Sequence, residues 1–532
     1  MAERRGNDSP SRPARQGAGE RALAGVAGGT VGSLPAMSQR YDTVIREASV
    51  YDGTGAPPVI ADVAIEGGRI AAVGALGGGA RESLDGRGLA LSPGFIDVHT
   101  HDDFAAVLHP QMEFKLCGGV TTCVVGNCGM GAAPFAEASV MARAFHPRAV
   151  LPEWRGYTGY LGLLDAAPPA VNVGVLVGHG TARMAVMGQH ARAPEAGEMT
   201  RMKSIVAEGL EAGALGLSSG LIYDPGRFAS TDELVELASL MRGSGALYAT
   251  HMRDESTGLL GSVNEAIAVG KRAGVPVQIS HHKASGRSAW GLVRESLRLI
   301  ERAQARGLDV HADQYPYTAG STILSAVFRD GRLGGGIGEL TAEDVVIASS
   351  AVHPGWEGRT IAAIASEMGC APEAAAARIL ARDPGTTVVL HVMSEDDVRT
   401  VMRHRSTMIG SDGIPTLDGK PHPRLYGSFA RVLGHYARDL GLFPLAEAIH
   451  RMTGFPAATF GLDGRGVVTP GAHADLVLFD PRRIIDRGTF DDPHRFPDGI
   501  AAVFVNGVKA VDGGRATGAR AGRALRRASR DA

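Results

Sequence analysis

Eight times along the middle of this chain a short apolar run ends in a polar tip and gives way to a longer stretch with helical spacing. The runs are Gly94–His101, Val120–Cys128, Val171–His179, Ala214–Ser219, Ala246–His251, Val275–His281, Leu308–Tyr315 and Thr407–Asp412. Helical patterns lie between most of them. Glu195–Ala212 carries Met199, Met202, Ile205, Val206 and Leu210 on one side, Thr231–Met241 opens on a Ser230/Thr231 cap with Glu233 in the first turn, and Trp290–Arg306 is a third. Parallel strands need a crossover between them, so alternating β and α units predict a parallel sheet. Eight units predict a closed (β/α)8 TIM-like barrel, which presents its working residues at the C-terminal ends of its strands. The seventh unit is too long. About ninety residues separate Tyr317 from Thr407, including Gly331–Gly338, a helix-like Ile361–Arg382 and an apolar Thr387–Met393. They predict an insertion at about 320–394, over the mouth of the barrel, where a lid or a substrate-shaping wall belongs.

Short alternating segments flank the barrel region on both sides. Tyr41–Ile45, Ala61–Ile65 and Ile70–Val73 are separated by Gly-rich turns, and Gly471–Asp480 and Ala501–Gly507 repeat the pattern near the other end. The expectation is one small β domain formed by both termini, 39–93 with 464–514, around a barrel spanning 94–463. Residues 1–38 have the composition of a disordered N-terminal extension, with a later start at Met37 compatible with the pattern, and 515–532 that of a flexible Arg/Ala-rich tail. The formal net charge of −2 offers no electrostatic basis for nucleic acid or an anionic membrane. No apolar run approaches the ~18–20 residues of a transmembrane helix. Four cysteines are too few for a disulfide scaffold and suit a reducing, cytoplasmic setting. Nothing in the pattern marks an oligomeric state.

The tips carry the chemistry. Strand by strand they present His99 and His101, Asn127-Cys128, His179, Ser218-Ser219, His251, His281-His282, Asp313 with Tyr315, and Asp412. Zinc takes thiolate and imidazole together, so cysteine and histidine at neighbouring tips make a candidate metal site. A carboxylate at the eighth tip is placed to act as general base toward water. Each residue alone has a plainer reading. Cys117 and Cys123 read as buried hydrophobes and Cys370 as structural. His282 faces away from His281 on a strand. His179 is either a loop histidine or a site residue, and Asp313 either caps its strand or orients a ligand. Asp102 and Asp103 read as supporting groups behind the ligands, and Arg253 as a partner of Glu255.

Longer motifs make the pattern specific. Gly118-Gly-Val-Thr-Thr-Cys-Val-Val-Gly-Asn-Cys128-Gly, Thr250-His-Met-Arg-Asp-Glu255, Ile279-Ser-His-His-Lys-Ala-Ser-Gly286, Asp313-Gln-Tyr-Pro-Tyr317 and Gly410-Ser-Asp-Gly413 resemble the N-acyl-D-amino-acid deacylases (D-aminoacylases) of the amidohydrolase superfamily. The resemblance runs from about Tyr41 to Gly514, and Gly471–Asp480 is similar to the closing strand of that superfamily. It implies a zinc-dependent hydrolase of linear amides acting on a small N-acyl-D-amino acid. On that pattern Cys128, His251 and His281 hold one tight zinc, His99 and His101 with Cys128 form a second, weaker site, and Asp412 is the base and then the acid. Arg424, in His422-Pro-Arg424, and Lys283 become candidates for the substrate carboxylate, with Tyr223, Tyr315 and Ser321 nearby; Tyr223 or His179 would face the oxyanion. The alternatives are a cyclic amidase of the dihydropyrimidinase or dihydroorotase kind and a non-catalytic scaffold of the same fold. The first conflicts with a fourth tip, Leu217-Ser218-Ser219-Gly220, that lacks the lysine used by many amidohydrolases to bridge two metals. The second conflicts with a complete ligand set.

Overall fold

The computed structural model describes residues 41–147, 149–334 and 337–527. The expected N-terminal extension lies outside them. Eight parallel strands form the central sheet: Phe95–Asp97, Val120–Val125, Asn172–Gly178, Gly216–Gly220, Leu247–His251, Val277–Ile279, Val310–Gln314 and Thr407–Ile409, each paired with the next. The first and eighth meet through a parallel bridge between Thr100 and Gly413, with His101 N donating to Gly413 O and Asp412 N to His99 O, so the sheet closes into a barrel. Every residue of seven of the eight strands is buried, as expected when helices cover a parallel sheet and side chains fill its interior. Strands are shorter than the apolar runs that mark them, because the last residues of most runs turn out of the ladder to form the tips.

Two of the three crossover helices read from the sequence start within a residue of the expected position, and the third starts at Val293 instead of Trp290. Ala196–Glu211 opens on a reciprocal cap between Glu195 and Glu198, and the Ser230 hydroxyl accepts from Glu233 N at the start of Thr231–Ala238. Val293–Gln304 buries Val293, Leu297 and Ile300 against the barrel.

A second sheet draws on both ends of the chain. Its order is Arg515–Ala516, Val508–Asp512, Ile500–Val505, Leu476–Phe479, Ala90–Pro93, Tyr41–Val50, Val59–Glu66 and Arg69–Gly74, with Ala80–Asp85 alongside Tyr41–Val50. The seam joining the two ends is the antiparallel pairing of Leu476–Phe479 with Ala90–Pro93. Ile45, Val63, Ile65, Leu91, Leu476, Leu478 and Phe504 form its core.

Two expectations need correction. The insertion holds not one helix over Ile361–Arg382 but two, Ile361–Glu367 and Pro372–Arg382, split at Gly369 and restarted by a proline in the first turn of the second. Beside them Gly320–Ile323, Thr387–Leu390 and Val345–Ser349 form a small antiparallel sheet in that order. The described part of the C-terminal segment is not a free tail. Ala524 and Leu525 pair in parallel with Val173 and Gly174 of the third barrel strand, and Arg526 pairs with Asp165. The start of that strand is paired with the second strand on one edge, but the fourth strand joins its other edge only from Leu176, and this segment supplies the partners there.

Candidate active site

The barrel tips bring five metal-ligand candidates into one buried cluster. Cys128 Sγ lies 3.3 Å from His99 Nε2 and 3.6 Å from His281 Nε2, and His281 Nε2 lies 2.9 Å from His251 Nδ1. Three overlapping groups, His99–His101–Cys128, Cys128–His251–His281 and His99–His281–Asp412, each keep their ligand atoms within 4.8 Å of one another. A tetrahedral ion with bonds of ~2.3 Å to sulfur and ~2.0–2.1 Å to nitrogen separates its ligand atoms by roughly 3.3–3.6 Å. The donor set and the two distances to Cys128 therefore fit zinc, while His251 and His281 would part by a few tenths of an ångström to share an ion. The fourth tip contributes no ligand: Ser219 Oγ is bound to Tyr248 OH at 2.6 Å, and Ser218 Oγ donates to Gly126 O. Cys128 occupies the middle of the cluster instead, shared by two of the three groups.

The local backbone is bent to achieve this. Cys128, His281 and Asp412 have φ of 54°, 36° and 49°, three of the seven non-glycine residues with positive φ among those described. Side-chain residues adopt this region at a cost, and such outliers cluster where function demands them. The close packing of the tips needs glycine at Gly220, where a Cβ would stand 2.0 Å from Cys128 O.

Carboxylates behind the imidazoles set their orientation. Asp313 Oδ1 lies 3.2 Å from His99 Nδ1 and accepts from His281 N, while Gln278 donates to its other oxygen. Glu255 Oε1 lies 3.0 Å from His281 Nδ1, and Glu255 Oε2 3.6 Å from His251 Nε2. With Nδ1 engaged, His99 and His281 turn Nε2 toward Cys128, the usual carboxylate–histidine–metal arrangement. Burial pushes the Cys128 thiol up, but His99 and the hydrogen bonds of His101, His251 and His281 outweigh it and hold it well below the ordinary thiol range. Burial likewise opposes ionisation of Asp412, and Arg424 with His281, His99 and His101 overcomes it.

Asp412 links the cluster to a cationic corner. Its Oδ1 lies 3.2 Å from His101 Nε2 and its Oδ2 2.9 Å from Arg424 Nη1. Arg424 is buried and stacked 4.4 Å over the Tyr315 ring, and its Nη2 donates to Ser321 O. Its Nη1 is held in the ion pair with Asp412, while its Nε has no hydrogen-bond partner, so a fixed guanidinium retains a donor for an anion. Lys283 stands nearby, with Nζ 2.7 Å from Glu255 Oε1 and 2.9 Å from His281 Nδ1.

The matching family is the amidohydrolase family, over residues 82–295 and 288–511. The D-aminoacylase of Alcaligenes xylosoxydans xylosoxydans is 41% identical, covering 92% of this chain and 98% of that protein. The chain belongs to the D-aminoacylase family of amidohydrolases. An N-acyl-D-glutamate deacylase of the same organism is also 41% identical over 92% of this chain and 98% of its own. The crystal structure of the N-acyl-D-glutamate deacylase of Bordetella bronchiseptica, bound to zinc and a phosphonate mimic of the tetrahedral intermediate, superposes with a TM-score of 0.83 at 39% identity, covering 92% of this chain and all of that one.

Within this D-aminoacylase-family barrel, the sequence candidates His99, His101, Cys128, His251, His281, Asp412, Lys283, Arg424 and Tyr315 converge. Tyr223 flanks them, its ring 5.0 Å from that of His251 and its hydroxyl 3.1 Å from Thr322 Oγ1. Ser321 meets Arg424 through its carbonyl rather than its side chain. His179 is at the third tip, but its Nε2 is 2.9 Å from Glu233 Oε1, in a buried network completed by Arg183. His282 points outward to Ser296, as its strand position implies. Arg253 does not pair with Glu255; it reaches Glu265 at 3.0 Å, leaving Glu255 to the two histidines and Lys283. The role of Glu255 went unread because three charged residues in a row offered Arg253 as an obvious partner. A buried Lys115 was also missed: its Nζ donates to Asp97 Oδ2 and Ser411 Oγ, each at 2.7 Å.

Proposed function

We propose that this chain is a zinc-dependent deacylase that hydrolyses N-acyl-D-amino acids to a carboxylate and a free D-amino acid. The observation that carries the reading is the buried guanidinium of Arg424, paired with Asp412 beside the Cys–His cluster and with its Nε unpartnered, a candidate anchor for a substrate carboxylate next to a candidate metal site. Cys128, His251 and His281 would hold the tight ion, and His99 and His101 with Cys128 a weaker second one. Zinc bound there supplies Lewis-acid polarisation of the amide carbonyl and lowers the pKa of water toward about 7.

The protein's own groups do the rest. Arg424 engages the substrate α-carboxylate through its planar fork, with Lys283 adding positive charge and Tyr315 and Ser321 bounding the corner. Asp412 accepts the proton of the attacking water and returns it to the departing amine. Tyr223, at the edge of the cluster, offers its hydroxyl to the oxyanion. A thiolate ligand and four unpaired cysteines support a reducing compartment such as the cytoplasm. No described helix is long and apolar enough to cross a membrane.

Hydrolysis of paired N-acetyl-D- and N-acetyl-L-amino acids, with zinc measured on the same preparation, tests this. The expected result is amine release from the D members, at least one zinc per chain, and loss of both in Cys128→Ala. Faster turnover of the L members or of hydantoins would overturn it. Asp412→Asn should keep its zinc and lose turnover; zinc loss would make Asp412 a ligand instead of the base.

A further inference from the structure

The two sides of the barrel mouth differ in kind. The groups assigned to the α-carboxylate follow strands six to eight: Lys283, Tyr315, Ser321 and Arg424. Across the cluster, the tips of strands one to four border a cavity that begins at His101 and Cys128 and runs outward beneath the helix Phe135–Phe145. Its apolar wall is Phe104, Val140, Met141, Ala142, Phe145 and Met184. No lysine or arginine is among the described residues that line it. The Phe145 ring lies 6.2 Å from the His101 ring, so the apolar surface starts at the ligands themselves. At the outer end Val140 is 64% exposed, so the lobe opens to solvent there.

We infer that the N-acyl group of the substrate occupies this lobe and that the enzyme favours extended hydrophobic acyl groups over acetyl. The inference rests on the deacylase reading above. In a trans N-acyl amide the acyl chain leaves the carbonyl carbon and Cα leaves the nitrogen, at opposite ends of the C–N bond. Holding the carbonyl at the cluster and the α-carboxylate at Arg424 directs the acyl chain toward strands one to four. An acetyl group fills only the neck of the lobe beside His101 and Phe145. Longer chains cover Met141, Ala142 and Met184, and each buried methylene adds a factor of a few in binding. The lobe lacks a cation, so it selects against acyl groups ending in a carboxylate. The binding energy arises far from the reacting bond and is available to the transition state.

The experiment uses the zinc-loaded full chain and one D-amino acid, the one turned over best as its N-acetyl derivative. Its N-acetyl, N-butanoyl, N-hexanoyl and N-succinyl derivatives are compared by kcat/KM. The expected rise from acetyl to hexanoyl is at least about fivefold, with succinyl below butanoyl. A smaller rise, or a fall, while the acetyl compound is still hydrolysed overturns the inference and leaves the deacylase reading standing. Failure to hydrolyse any D derivative overturns both. Ala142→Leu narrows the lobe and should cut the hexanoyl-to-acetyl ratio at least about threefold; if it does not fold, as judged by melting temperature, Met184→Phe narrows the same lobe from its other wall. An unchanged ratio in the folded variant, or a change instead in preference among D-amino-acid side chains at constant acetyl, overturns the placement.

Discussion

A histidine ligates through one nitrogen, and what holds the other decides whether it is ready to do so. Glu255 is the clearest case, because one carboxylate faces Nδ1 of His281 at 3.0 Å and Nε2 of His251 at 3.6 Å. Burial opposes its ionisation, but Lys283 and the two histidines pull its pKa far below the ordinary range, so it stands as a full negative charge behind the ligands. Glu255→Gln keeps the shape and removes that charge. It should weaken zinc binding by roughly 10–100-fold, read by competition with a chelator, while the melting temperature of the loaded protein changes little. Unchanged affinity would make Glu255 a partner for Lys283 alone. The second site proposed for His99, His101 and Cys128 gives a further prediction at this scale. His101→Asn removes one ligand of the His99–His101–Cys128 group and none of the Cys128–His251–His281 group, so kcat should fall by more than the tight zinc content does. Cys128, His281 and Asp412 were legible because each ends an apolar run within a recognisable motif. Glu255 was not, because its contacts are made by a loop whose path no periodicity encodes.

The elements were legible in proportion to their burial pattern. All eight barrel strands stand where apolar runs mark them, since a strand covered on both faces is mostly apolar up to its polar tip. What the pattern does not contain is closure. The first and eighth strands are each three residues long, and a polar knot ties them together. Lys115, from the short helix after the first tip, donates to Asp97 of strand one and to Ser411 beyond strand eight, and lies 3.5 Å from Asp102. Ser411 N and Oγ both donate to Asp97. A lysine 2% exposed gives no sign in the sequence of its partners, which are 13 to 296 residues away in the chain. Lys115→Met leaves Asp97 and Asp102 as uncompensated buried charges. Breaking a buried pair from one side costs about 3–5 kcal/mol, to be read as a shifted midpoint in chemical denaturation. Adding Asp97→Asn to Lys115→Met should recover part of the loss, because one buried charge is then removed along with its partner.

At the scale of the whole molecule the two sheets and the C-terminal segment are held by one buried amide–carboxylate network. Asp475 accepts from Arg465, from Asn506 N at 2.7 Å and from Asn172 Nδ2 at 3.2 Å. Asn506 Nδ2 donates in turn to Asn172 Oδ1 and to Ala521 O. Asn172 begins the third barrel strand, Asn506 follows a strand of the terminal sheet, and Ala521 belongs to the segment expected to be loose. That segment also gives Arg523 N to Asn172 Oδ1, Gly522 N to Pro169 O and Arg527 N to Gly213 O. Its polar and basic composition suggested fraying because the groups it satisfies belong to other parts of the chain. Ending the chain at Gly518 therefore uncovers Asn506 Nδ2, Pro169 O and the first backbone groups of the third strand. Each buried group left unpaired costs about 1–3 kcal/mol, less what water can replace, so the truncated chain should melt several degrees lower. Zinc content should not change, because the added pairs, Ala524 with Val173 and Leu525 with Gly174, lie at the start of the third strand, while the ligands lie at the far ends of theirs. Asp475→Ala, which breaks the same network without shortening the chain, should lower the melting temperature at least as much. An equal melting temperature in the truncated protein would mean that the segment only lies along the barrel, and a loss of zinc would mean that the bottom of the third strand governs its tip.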